Sequence, residues 1–161
     1  MSKARAAVSK TNAMRALDQA GVGYEAYTYD PALMGAVEVA EALGVPAGQV
    51  YKTLVMLRDE MAPLLVMVSG EREVDLRVLA QHIGSKSVRM APKAEAERLT
   101  GLQTGGIGAL ALLAMPFPVY LDRAALGEQE IFVNGGRRGL NLRVPVADLV
   151  RLTVAAVVDV R

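Results

Sequence analysis

Val50-Tyr51-Lys52-Thr53-Leu54-Val55-Met56-Leu57, then Arg58-Asp59-Glu60, then Leu64-Leu65-Val66-Met67-Val68, is the stretch whose reading decides the fold. Two nearly continuous apolar runs joined across a charged turn predict an antiparallel pair of strands. Lys52 interrupts the first run. Strand alternation points it opposite to Tyr51 and Thr53. Either it faces solvent, or it faces inward, where an ammonium is costly unless an anion meets it.

Outward from this pair the chain alternates helical and extended patterns. Toward the N-terminus, residues 36–43 have a helical period and stop at Gly44-Val45-Pro46, and residues 24–29 read as a strand. Thr11 or Asn12 can cap an earlier helix, with Met14, Leu17 and Ala20 at three-residue spacing and Gly21 at its end. Toward the C-terminus, Asp75 can cap a helix over 76–83 that Gly84 closes. A short strand at 87–90 leads to a helix over 92–99 with Pro92 in its first turn. Strands are expected at 119–121, 131–133 and 140–144, then a helix at 146–152 and an apolar tail over 154–160. The expected architecture is a mixed α/β (α+β) single domain over residues 1–161, a largely antiparallel mixed sheet surrounded by helices. Residues 1–10 are expected to form a flexible N-terminal segment.

Composition removes several chemistries. Hydrophobic residues make up 52% of the 161 positions and charged ones 22%, which places the chain among folded globular domains. Aromatic residues are only 4%, so stacking platforms for single-stranded bases are scarce. The absence of cysteine excludes disulfides, a thiolate nucleophile and zinc-thiolate sites. One histidine, His82, leaves a Ser-His-Asp triad open in principle, but its place near a helix end suits a surface residue facing the helix C-terminus. No calcium-loop spacing of acids appears, and no glycine segment ends in the Lys-Ser/Thr of a P-loop. No segment has signal-peptide or membrane-spanning character, so a cytoplasmic location is the default expectation. A net charge of +1 means that any nucleic-acid partner must be met by a local basic patch.

Two glycine-rich segments remain. Gly101-Leu102-Gln103-Thr104-Gly105-Gly106-Ile107-Gly108 could present unobstructed backbone N–H groups at Gly105 and Gly106, as ester cleavage through an oxyanion hole requires, or could be a plain turn. Asn134-Gly135-Gly136 between two apolar runs is a hairpin-turn signal. The Arg137-Arg138 pair that follows could grip phosphate or simply be solvated.

The order of these segments carries more than any one of them. Tyr27-Thr28-Tyr29, Val50-Tyr51-Lys52-Thr53-Leu54, Thr100-Gly101 with Gly105-Gly106-Ile107, and Asn134-Gly135-Gly136-Arg137-Arg138-Gly139-Leu140 together resemble the YbaK/EbsC family of aminoacyl-tRNA deacylases. The likeness runs from about Thr11 to the C-terminus. It implies a compact α/β domain that hydrolyses the ester between an amino acid and the terminal adenosine of tRNA, without metal or cofactor. Some members are freestanding and others are inserted in a prolyl-tRNA synthetase, and at this length the chain resembles the freestanding ones. Their best-known activity removes cysteine from tRNA(Pro), while related branches remove alanine or another small residue. A synthetase pocket separates small side chains by only about 1–3 kcal/mol per methylene, so a second sieve is needed.

By this resemblance Lys52 contacts the terminal adenosine or phosphate, Tyr29 and Thr53 are pocket positions, and Gly105 places its N–H at the scissile carbonyl with Gly106 beside it. Arg137 and Arg138 are the expected tRNA contacts. The partners implied are aminoacyl-tRNA, foremost tRNA(Pro), and prolyl-tRNA synthetase, with no DNA and no membrane. Three departures stand out. Asn134 replaces a typical Ser, Asn141 replaces a typical acid, and Gly108-Ala109 replaces a frequent Ser-Pro. The asparagines are expected in the substrate pocket, where they keep hydrogen-bonding capacity but remove a charge at position 141. A non-catalytic module of the same fold, binding tRNA or a synthetase, is the alternative from another class.

Overall fold

A computed structural model of the protein describes residues 4–5, 9–33, 35–59 and 62–161. In chain order the elements are β1 (Ala4–Arg5), α1 (Asn12–Gln19), β2 (Glu25–Thr28), α2 (Ala36–Leu43), β3 (Tyr51–Arg58), β4 (Ala62–Ser69), α3 (Leu76–Ile83), β5 (Val88–Met90), α4 (Lys93–Thr100), β6 (Val119–Asp122), β7 (Glu130–Asn134), β8 (Leu140–Pro145), α5 (Val146–Thr153) and β9 (Ala156–Val158). Short 3-10 turns occupy Ala47–Gln49, Ala109–Leu112 and Arg123–Gly127.

β3 and β4 pair antiparallel over their full length, Tyr51 opposite Ser69 and Arg58 opposite Ala62. Asp59 turns the chain with a left-handed φ of 42°, and its carboxylate accepts the Lys86 and Ser87 amides at 3.0 and 3.2 Å. Glu60, the end of the expected charged turn, lies outside the described residues. Of the segment expected to be flexible, Ala4–Arg5 pairs with β2, Lys10 reaches Asp18 at 2.8 Å, and residues 1–3 and 6–8 lie outside the description.

The strands form two sheets, where the sequence suggested one. The first runs β1-β2-β8-β7 and is antiparallel throughout. The second runs β5-β3-β4-β6-β9, with β6 parallel to both β4 and β9. The apolar C-terminal tail thus supplies an edge strand. A parallel neighbour requires a long crossover, and residues 70–118, carrying α3 and α4, provide it between β4 and β6.

Alternation along β3 assigns its side chains to two cores. Tyr51, Val55 and Leu57 point between the sheets, with Leu65, Met67, Leu121, Ile131, Val133, Leu140 and Leu142. Leu54 and Met56 point outward, where Met56 joins Leu64, Val66 and Val68 under Leu79 of α3. A third cluster packs Val39 and Leu43 of α2 on Tyr27 and Phe132 of the first sheet and on Val50, just before β3. Each fully buried Leu, Val or Phe contributes about 1.5–3 kcal/mol against exposure. The helices start where their caps predict: Thr11 Oγ1 accepts the Met14 amide at 3.2 Å, and Asp75 accepts the Arg77 and Val78 amides at 3.0 and 3.2 Å.

Candidate active site

β5 pairs only with Met56–Arg58, and the next contact on that side is the Ala91 N–H donated to Val55 O at 3.0 Å. The first half of β3 therefore has an open edge. Backbone polar groups alternate along a strand, so the Val55 carbonyl marks Thr53 as a residue whose N–H and C=O face this edge. At its start the chain crosses to the first sheet through a parallel bridge from Val50 to Phe132. The edge, α2 and the two glycine-rich segments enclose a cavity of about 230 Å3.

Tyr29 enters this cavity from the end of β2, Ala36 and Val39 from α2, Val50 to Leu54 from β3, Thr104, Gly105 and Ile107 from the loop after α4, and Asn134 and Asn141 from β7 and β8. Six residues expected in the site, Tyr29, Lys52, Thr53, Gly105, Asn134 and Asn141, therefore converge on one space. Lys52 is exposed and is the one charged side chain among the described residues of the lining. Neither lining phenol is a base at neutral pH. Burial raises the Tyr29 hydroxyl above its usual range, and burial with the Asp122 and Glu128 carboxylates pushes Tyr51 up to about 12.

The loop that delivers Gly105 is tied at four places. Thr100 Oγ1 donates to Ala96 O at 2.8 Å and accepts the Leu102 amide at 3.1 Å. Glu97 Oε2 accepts the Thr104 amide at 2.8 Å, and that bond holds its carboxyl below the ordinary range. The Gly106 amide donates to Gln103 O at 2.7 Å. Asn134 Nδ2 donates to Gly105 O at 2.7 Å. The Gly105 N–H has no acceptor among the described residues.

Gly106 departs from its expected role beside Gly105. Its N–H is spent within the turn, and it does not line the cavity. Its glycine identity has another cause: a Cβ would stand 2.9 Å from Arg138 N and 3.0 Å from the Arg137 backbone. At Gly108 a Cβ would stand 2.7 Å from Asn134 O. The two glycine-rich segments thus pack backbone against backbone, and only glycine permits that approach.

The asparagines brace this contact. Besides Gly105, Asn134 Nδ2 reaches Arg137 O at 3.4 Å, and its Oδ1 accepts the Gly136 amide at 2.7 Å. Asn141 is 4% exposed, and its amide nitrogen, in the orientation that satisfies its surroundings, donates to Leu140 O and Val133 O at 3.3 and 3.2 Å. Arg137 and Arg138 stand outside the lining: Arg137 donates to Ser9 Oγ at 3.3 Å and Arg138 to Pro31 O at 3.0 Å. Each ties the segment after β7 to a distant part of the chain. His82 is also elsewhere, with Nε2 3.6 Å from Asp159, which pairs with Arg123 at 2.9 Å.

Sequence reasoning did not single out Ala36, Val39 or Thr104, and it quoted Ile107 only within the Gly105-Gly106-Ile107 motif; all four line the walls. Ala36 and Val39 were visible only as part of a helical period. Among the described residues no helix is long and apolar enough to cross a membrane, and no three His, Asp or Glu side chains are grouped to hold a metal ion.

Comparison with known proteins gives a consistent picture. The aminoacyl-tRNA editing domain matches residues 30–152. The Enterococcus faecalis protein EbsC, whose assigned activity is deacylation of Cys-tRNA(Pro) and Cys-tRNA(Cys), is 34% identical over 146 residues, covering 89% of this chain and 88% of its own. A proline--tRNA ligase of Limosilactobacillus fermentum is 31% identical over 98 residues, 58% of this chain but only 16% of the ligase. A crystal structure assigned as a trans-editing enzyme for prolyl tRNA synthetase superposes with a TM-score of 0.80 at 30% identity, covering 96% of this chain and 99% of that one.

Proposed function

Since the chain belongs to the aminoacyl-tRNA editing domain family, we propose that it hydrolyses the ester joining a wrongly attached amino acid to tRNA, with Cys-tRNA(Pro) as the preferred substrate. The observation that carries this reading is the meeting of Lys52 and Gly105 in one cavity. The aminoacyl group enters the cavity and the terminal adenosine stays at its mouth. Lys52 holds the nucleotide by its phosphate or adenosine. Gly105 points an uncommitted N–H at the carbonyl oxygen, where negative charge develops as the tetrahedral intermediate forms.

A nucleophile adds to the carbonyl carbon, the bond to the ribose oxygen breaks, and that oxygen leaves with a proton. Among the described residues the lining offers no carboxylate, imidazole or thiolate to act as a base. The attacking group is then a water, whose proton passes to the leaving ribose oxygen with the adjacent ribose hydroxyl as relay, or, for cysteine, the substrate's own thiol, whose proton goes to that oxygen as a cyclic thioester forms that water later opens. The protein's share is positioning and electrostatic stabilisation. The apolar walls of Ala36, Val39 and Ile107 and the volume of about 230 Å3 suit a small side chain. Prolyl-tRNA synthetase is the partner this reading expects, as the source of the mischarged tRNA.

The test is a panel of tRNA(Pro) charged separately with cysteine, alanine and serine. Fastest loss of cysteine supports the reading. Faster loss of alanine reassigns the substrate, and retention of all three would mark a non-catalytic binding module.

A further inference from the structure

A second cavity, of about 260 Å3, opens on the outer face of β3 and shares Lys52 and Leu54 with the first. Its other walls come from β5 and from the segment leading into α3. Met90 and Leu76 are 47% and 38% exposed there, unusual for large apolar side chains that flank a core. Three charged groups face the space: Lys52, Arg72 and Glu73. Arg72 is held from behind, with Nε 2.9 Å from a carboxylate oxygen of Asp122, which is 1% exposed. The charges touch there without the alignment of a hydrogen bond.

We infer that this groove binds the nucleotide preceding the terminal adenosine at the single-stranded 3′ end of tRNA. The inference rests on the deacylase reading and extends it along the same chain. If the ester lies in the first cavity, the terminal ribose stands at its mouth and the next phosphate lies one nucleotide step away, beside Lys52. The two cavities meet at that residue, so the strand passes from one to the other without leaving the surface. Lys52 and Arg72 flank the phosphate. The base lies on Met90 and Leu76, with the Met90 thioether against its ring. Glu73 can accept from the exocyclic amine of a cytosine, which every tRNA carries at this position. Charge complementarity and continuity with the first cavity thus favour a nucleotide over a peptide or a second copy of the chain.

The experiment compares two esters of the same amino acid, one on adenosine alone and one on the trinucleotide CpCpA, with wild type and Met90→Glu. Met90 lies outside the first cavity and is half exposed, so the variant keeps the fold and the hydrolytic site. Wild type is expected to cleave the trinucleotide ester with a kcat/KM at least tenfold above that of the adenosine ester. Met90→Glu should lose that advantage while cleaving the adenosine ester at the wild-type rate. Equal cleavage of both esters by wild type, or an undiminished advantage in Met90→Glu, would overturn the groove assignment and leave the deacylase reading intact. Cleavage of neither ester by wild type would overturn both.

Discussion

Asn134 and Asn141 are register partners across β7 and β8, and both line the cavity that holds Lys52 and Gly105. These are the positions where the chain departs from the Ser and acid expected by resemblance. Their amides are occupied by main chain: Asn134 by Gly105, Gly136 and Arg137, and Asn141 by Val133 and Leu140. They shape the cavity more than they offer charge to a ligand.

Asn134→Ala tests that bracing role. It removes the donor to Gly105 O and the acceptor for the Gly136 amide, and each lost bond costs about 0.5–1.5 kcal/mol. Thermal unfolding should report a loss of this order. Deacylation should fall more steeply, because the Gly105 N–H loses its aim. A variant that unfolds earlier yet turns over normally would separate Asn134 from catalysis.

Gly106→Ala should act through contact, since its N–H is already committed. The added methyl meets the Arg137–Arg138 backbone at 2.9–3.0 Å, and overpacking of this kind costs about 1–3 kcal/mol. Denaturant midpoints should drop together with activity. An unchanged midpoint would show that the two glycine segments do not pack as described.

Glu97 makes the loop sensitive to acid. Its carboxyl is held below its ordinary value of 4.5, chiefly by the Thr104 amide. The stabilisation from this bond is therefore complete above the ordinary carboxyl range and is lost as pH falls through the lower folded value. The Thr104 amide resonance should titrate with a midpoint below 4.5 and stop titrating in Glu97→Ala. A midpoint above that value would contradict the assigned bond.

Much of this was legible in the chain itself. The helix over Leu76–Ile83 begins and ends where Asp75 and Gly84 predict, because caps are local chemistry. The β3–β4 pair followed from two apolar runs and a charged turn. The division into two sheets was not legible, since the β4–β6 and β6–β9 pairings join segments far apart, and apolar strands do not name their neighbours. In the site, Lys52 stood out as the one cation in an apolar run. Gly106 misled because an N–H free in sequence can be consumed by a four-residue turn, here by Gln103 O. The bonds of Arg137 to Ser9 and of Arg138 to Pro31 were not legible, since nothing local connects these residues.

The most direct measurement of the central claim is single-turnover deacylation of Cys-tRNA(Pro) by wild type and Lys52→Ala, with circular dichroism to confirm that both are folded. Lys52 is exposed, so its truncation should leave the melting temperature within a few degrees of wild type. The account predicts a loss of at least about a hundredfold in rate, the scale on which misplacing a bound reactant acts. A folded Lys52→Ala protein that clears cysteine at the wild-type rate would contradict it.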